Sequence, residues 1–289
     1  MRLAPALLTV LLLTPMARRP ALAQQPAWVA QLGYTPDQVF PARRGLHGMP
    51  FVDVVIEGTK QRLLFDTGDM AGLTLATNLI NRLELPETGR WDRLDSDGHV
   101  IGSYRRVQAR AVILFGRALS DQTILEFSDA DLGGLVGPDA LPGTRFTLDY
   151  RSELLAVASS SLQNAPRGFV ALPLTRSARL PRLILAVGRV NGRPVLMEFD
   201  TGASRTNIDP QLVQELGLAR SGDGVRIDSL ALGPLVFSVP SAKVDSKAGI
   251  DPTLTPALQL AVGSDILAQV IITVDYAGGR LLVRDTRRP

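Results

Sequence analysis

The chain has 289 residues, of which 45% are hydrophobic and 20% charged, a composition that supports a sizeable core and excludes global disorder. Aromatic residues make up only 5%, whereas Gly (26) and Pro (20) are frequent, which suits many strands joined by turns. Cysteine is absent, so disulfides, thiol nucleophiles, thiolate metal sites and lipid attachment through cysteine are all excluded.

At the start of the chain, Arg2 precedes an apolar stretch from Leu3 to Ala17, and Ala21-Leu22-Ala23 offers a small-x-small cleavage site before Gln24. This predicts a secretory signal peptide at residues 1–23. The alternative is an uncleaved membrane anchor, but the stretch falls short of the roughly 20 residues a spanning helix needs. Arg18-Arg19 follows the apolar run, so it is no twin-Arg export signal. The signal style, with no disulfides, points to a bacterial protein that is periplasmic or secreted, with no stable membrane insertion after signal removal. Residues 1–23 carry Arg2, Arg18 and Arg19 and no acid. Without them the 31 basic and 28 acidic residues of the whole chain become 28 of each. The high isoelectric point therefore comes largely from this segment, and no basic face for nucleic acid remains.

The rest of the chain is one unit used twice. Leu63-Leu64-Phe65-Asp66-Thr67-Gly68 answers Leu196-Met197-Glu198-Phe199-Asp200-Thr201-Gly202. Each follows an apolar strand and a turn, at Gly58-Thr59 and at Asn191-Gly192, the latter a strong hairpin signal. A short helix is predicted next in both copies, over Leu79–Leu85 and Leu212–Leu218, with Asp209 and Pro210 as cap and first position of the second. Leu135-Val136-Gly137-Pro138-Asp139 then answers Ala261-Val262-Gly263-Ser264-Asp265. Closing hairpins are predicted at Phe146–Tyr150 with Leu154–Val157, and at Ile272–Tyr276 with Arg280–Val283. The Ser-, Asn- and Pro-rich stretch from Ala158 to Gly168 reads as a linker. It divides the mature chain into units at 24–165 and 166–289. The first copy carries about 17 extra residues near Trp91 to Tyr104, including a predicted hairpin tip at Asp95–His99.

A single Asp-Thr-Gly is most often just a turn. Two at equivalent places in a duplicated unit are a specific signal. Pseudo-twofold symmetry would bring the two loops together, and two carboxylates roughly 3 Å apart cannot both ionise, so they share one proton. The ionised member takes a proton from water while the protonated member polarises a carbonyl, so that water attacks without a covalent intermediate. Gly68 and Gly202 permit a tight turn that aims backbone N–H groups at the carboxylates. Thr67 and Thr201 can lock the loops across the symmetry axis.

On these motifs the chain resembles the pepsin–retropepsin superfamily of aspartic proteases, over roughly residues 48–157 and 180–284, with Leu135-Val136-Gly137 and Ala261-Val262-Gly263 similar to its hydrophobic-hydrophobic-Gly element. The resemblance implies an all-β, bilobal, pepsin-like fold, with two pseudo-twofold-related β-barrel lobes and short helices. It implies an aspartic endopeptidase acting as a monomer on a polypeptide substrate, without cofactor or metal. Asp66 and Asp200 would be catalytic, supported by Thr67, Gly68, Thr201 and Gly202. It also implies a hairpin flap on the first lobe, where Gly98, His99 and Tyr104 are the substrate-binding candidates. The first motif departs from the family in continuing with Asp69, where Ala, Ser or Thr is usual. Asp69 is expected to point to solvent; facing inward unpaired, it would raise a neighbour's pKa. The segment Gln24–Gly48, with Arg43-Arg44, is either a short pro-segment pairing with cleft acids or the first strands of the first lobe.

Other chemistries fit poorly. The two histidines, His47 and His99, have no nucleophile-elbow motif nearby, and no zinc or phosphate-binding motif is present. The repeated acids Asp139/Asp265 and Asp149/Asp275 are expected to cap the short helix and to bond the hairpin turn. The competing readings are a catalytically silent peptide-binding protein of the same fold and a homodimer pairing its halves between chains.

Overall fold

The structure is a computed structural model that describes residues 25–69, 71–94, 99–128, 131–141, 143, 145–246 and 251–287. The predicted signal segment 1–23 and the hairpin tip Asp95–Gly98 lie outside the described residues. The chain is predominantly β, with a few short helices. Among the described residues no helix is long and apolar enough to cross a membrane.

The duplicated sequence yields duplicated local structure. Strands Pro50–Ile56 and Thr59–Phe65 form a hairpin through Glu57-Gly58, whose φ angles are 48° and 76°. Strands Leu185–Val190 and Arg193–Phe199 do the same through Asn191-Gly192, at 47° and 86°. Positive φ at both central residues is the turn whose twist matches that of the flanking strands. The second strand of each hairpin then pairs in parallel with a later one, Leu64 and Phe65 opposite Leu135 and Val136, and Phe199 opposite Val262. A parallel partner must arrive from far along the chain, and the hydrophobic-hydrophobic-Gly element supplies it in each copy. The glycine ending that element permits close approach: a Cβ on Gly137 would stand 2.2 Å from the Asp69 carbonyl oxygen, and one on Gly263 2.5 Å from that of Arg205.

Six antiparallel strands join the two copies. In order they are Val39–Arg44, Leu154–Ala158, Arg145–Asp149, Val270–Asp275, Arg280–Asp285 and Val170–Thr175. At the centre Thr147 lies opposite Thr273, their hydroxyls 2.8 Å apart. The two closing hairpins are therefore as predicted. Asp149 and Asp275 bond their turns, through the N–H groups of Arg151 (3.0 Å) and Gly278 (2.9 Å) respectively. Residues 159–168 carry neither helix nor strand.

Three expectations need correction. The helices are Thr77–Arg82 and Pro210–Leu216, so both end earlier than predicted and the first also begins earlier. Glu84, at φ 50°, and Gly217, at φ 57°, take left-handed backbone that no helix continues through. The cap was legible: Asp209 accepts the Gln211 N–H at 2.8 Å, with Pro210 at the first position. Asp139 and Asp265 are not caps, since Gly137 and Gly263 occupy those positions. Asp265 instead accepts the Thr206 N–H and hydroxyl at 2.9 and 2.8 Å. Of the two readings of Gln24–Gly48, the described residues, from Gln25 on, fit the one as first strands. Trp28 is buried with its indole N–H on Asp149 at 2.8 Å, Arg44 sits 3.9 Å from Glu153, and Val39–Arg44 is the edge of the six-stranded sheet. The third correction concerns Asp69.

Candidate active site

Both Asp-Thr-Gly loops begin where a buried strand ends, and the backbone holds each acid at the same point. Asp66 N–H donates to the Val136 carbonyl and Asp200 N–H to that of Val262, both at 3.0 Å. The two threonines, fully buried, exchange bonds across the interface. Thr67 N–H donates to Thr201 Oγ1 and Thr201 N–H to Thr67 Oγ1, both at 3.0 Å. Each hydroxyl then donates to the opposite strand, Thr67 to the Phe199 carbonyl at 2.7 Å and Thr201 to that of Phe65 at 2.6 Å. Four buried polar groups are thus satisfied only while the loops face each other.

This grip places each carboxyl against the glycine of the other loop. A Cβ on Gly68 would stand 2.8 Å from Asp200 Cγ, and one on Gly202 2.2 Å from Asp66 Cγ. A side chain at either position would push the opposite carboxyl out of place. The six predicted residues Asp66, Thr67, Gly68, Asp200, Thr201 and Gly202 therefore converge in one place, within one chain.

The two acids are unequally served. Asp200 Oδ1 accepts two backbone N–H groups, from Gly202 at 2.9 Å and Ala203 at 3.1 Å. Asp66 Oδ1 accepts one, from Gly68 at 2.8 Å. Burial holds the Asp66 carboxyl well above the usual range, and the charges of Asp200 and then Asp69 add to that effect against the Gly68 bond.

Asp69 overturns the expectation that it points to solvent. Its Oδ1 accepts the Ala71 N–H at 3.0 Å, while its Oδ2 is sealed from solvent with no hydrogen-bond partner among the described residues. Burial, with a further contribution from the Asp139 charge, pushes its pKa up to about 6, against the Ala71 bond. The Asp69 backbone carbonyl packs closely against Gly137, a contact that no local pattern reveals.

The extra residues of the first copy form an antiparallel hairpin, Glu87–Leu94 with Val100–Leu114. Tyr104 packs on Trp91 of its own hairpin, ring centroids 5.3 Å apart, and His99 is exposed; Gly98 lies outside the described residues. A brace at the hairpin base is not legible in sequence. Glu126 accepts from Thr77 Oγ1 at 2.7 Å, from Arg105 N–H at 2.8 Å and from the Arg105 guanidinium at 3.0 Å. A second unforeseen link runs under the loops: the Tyr150 hydroxyl lies 3.0 Å from that of Ser264, which donates to the Thr201 carbonyl at 3.2 Å.

Residues 186–255 match the family model for aspartyl protease. The match spans the second Asp-Thr-Gly loop and most of the strands that build it. No curated protein matches the chain.

Proposed function

From the membership in the aspartic protease superfamily that residues 186–255 support, we propose that this chain is an aspartic endopeptidase that hydrolyses peptide bonds with Asp66 and Asp200 as its catalytic pair. The observation that carries the reading is the reciprocal threonine grip, which sets two acids against each other inside one chain. A protein that only bound peptides would gain nothing from holding two like charges together, at a cost in stability.

We read the fold as two β lobes, residues 24–165 and 166–289, related by a pseudo-twofold axis through the six-stranded sheet and the paired loops. The substrate would lie between them, under the hairpin that holds Tyr104 and, just before its second strand, His99, with Gly98 kept as a sequence-based candidate. Roles within the pair follow from the unequal hydrogen bonding. Accepted N–H bonds stabilise a charged carboxylate, so Asp200 is the ionised member and Asp66 carries the shared proton. Asp200 removes a proton from water as the water oxygen attacks the peptide carbon, and Asp66 donates its proton to the carbonyl oxygen. The tetrahedral intermediate then collapses: its C–N bond breaks, the leaving nitrogen takes the proton held by Asp200, and one hydroxyl proton of the intermediate passes to Asp66, which restores the pair. The N-terminal signal fits action in the periplasm or outside the cell, as a monomer.

The test is cleavage of unfolded polypeptide by the purified protein in acidic solution. It should be blocked by a statine-type mimic of the tetrahedral intermediate and lost in Asp66→Asn and in Asp200→Asn. Binding of peptide without cleavage would favour the silent binding protein instead.

A further inference from the structure

We propose, resting on the protease reading above, that Asp69 is a positioning residue acting through Asp66: its carboxyl keeps the shared proton on Asp66 and so extends hydrolysis toward less acidic solution. The two loops differ at the residue after Gly. In the second loop Ala203 turns its N–H onto Asp200 Oδ1 at 3.1 Å. In the first the Asp69 N–H goes to the Asp66 backbone carbonyl at 3.3 Å, and the Asp66 carboxyl loses that donor. In its place stands a third acid, with one oxygen on the Ala71 N–H and the other sealed without a partner among the described residues. One loop is thus built to hold negative charge and the other to hold a proton.

The charge that bears on Asp69 is that of Asp139, on the turn Pro138–Ala140, and the charge of Asp69 in turn bears on Asp66, as that of Asp200 does. Arg182 Nε reaches only Asp139, at 4.0 Å, where half the Asp139 side chain is exposed and the pair is screened. Asp69 titrates at about 6, so its charge is absent in strongly acidic solution. It appears as pH rises, and it then opposes loss of the Asp66 proton. The contribution therefore grows with pH.

The experiment compares the full chain with Asp69→Asn, which keeps an acceptor for the Ala71 N–H and removes the charge. The probe is reduced and carboxymethylated serum albumin. The variant-to-wild-type ratio of kcat/KM should fall about tenfold between about pH 4 and about pH 7, the effect of one unit on the acid's titration. In parallel, carbon-13 NMR titration of the aspartate carboxyls reads protonation without turnover. The carboxyl step that Asp66→Asn removes should move to lower pH in Asp69→Asn. A ratio that stays level across pH, or a carboxyl step that Asp69→Asn leaves in place, overturns the proposal. If the wild type hydrolyses nothing at any pH, the protease reading fails separately, and the carboxyl titration still decides whether Asp69 acts on Asp66.

Discussion

Thr67 and Thr201 have no exposure, and each hydroxyl bonds only to the opposite loop and the strand that leads into it, so their hydroxyls measure how tightly the two loops are held. Thr201→Val keeps the shape and removes one hydroxyl, leaving the Thr67 N–H and the Phe65 carbonyl buried without partners. Each such group costs about 1–3 kcal/mol, so a loss of a few kcal/mol is expected in urea unfolding. A loss below half a kcal/mol would mean that the loops are not held by this exchange. Residues of this kind were legible in sequence, because an Asp-Thr-Gly tripeptide repeated at equivalent places announces both itself and its partner. Asp69 was not. Its identity was visible as a departure from the repeat, but its burial arises from tertiary packing, as in the contact of its backbone with Gly137, 68 positions further on. Ser264 was equally mute, since only tertiary packing brings the Tyr150 hydroxyl to it.

The strands and turns that carry the loops followed from their residues. Asn-Gly and the closing Asp-turn hairpins dictate backbone that few other sequences adopt. Helix ends were misjudged because the apolar stripe runs on past the last helical turn: Leu85 and Leu218 supply core contacts from non-helical backbone. The segment before residue 40 gave no clear signal, since a five-residue helix has almost no intrinsic stability and forms here only by docking. Trp28, Val29, Leu32 and Tyr34 cover Ala156 and Ala158 from the first copy and Phe169, Ile271 and Leu282 from the second. The helix Ala27–Gln31 and the residues that follow it therefore tie both copies together over the six-stranded sheet. Trp28→Ala removes a fully buried ring and leaves one Asp149 oxygen without its donor, so a loss of about 3–5 kcal/mol is expected from chemical denaturation. A change under 1 kcal/mol would show that the helix is only peripheral.

For the whole molecule, the buried acids make stability depend on pH in opposite directions. Asp66 and Asp69 have folded-state pKa values above their unfolded ones, so the native protein binds more protons than the unfolded chain. Their contribution is not a penalty below the unfolded carboxylate range, and it turns unfavourable as pH rises through it, for Asp69 until about 6. Asp275 runs the other way. Although burial raises its pKa, the N–H groups of Gly278 and Leu162 hold it below the usual range, so the stability it supplies is present at neutral pH and lost as the solution becomes strongly acidic. Asp69→Asn should therefore be more stable than wild type at neutral pH, by about 2–3 kcal/mol, with the gain vanishing below about pH 4. Urea midpoints at the two pH values read this directly; a gain equal at both would assign it to packing rather than to charge. All of this chemistry depends on Asp66 and Asp200 acting as one unit, and the most direct measurement is the initial rate of polypeptide cleavage in acidic solution by the wild type and by Asp200→Asn, both shown by circular dichroism to be folded. A loss on the order of a thousandfold or more is expected from removing one member of an acid–base pair; a variant that still cleaves at a rate near that of the wild type would contradict it.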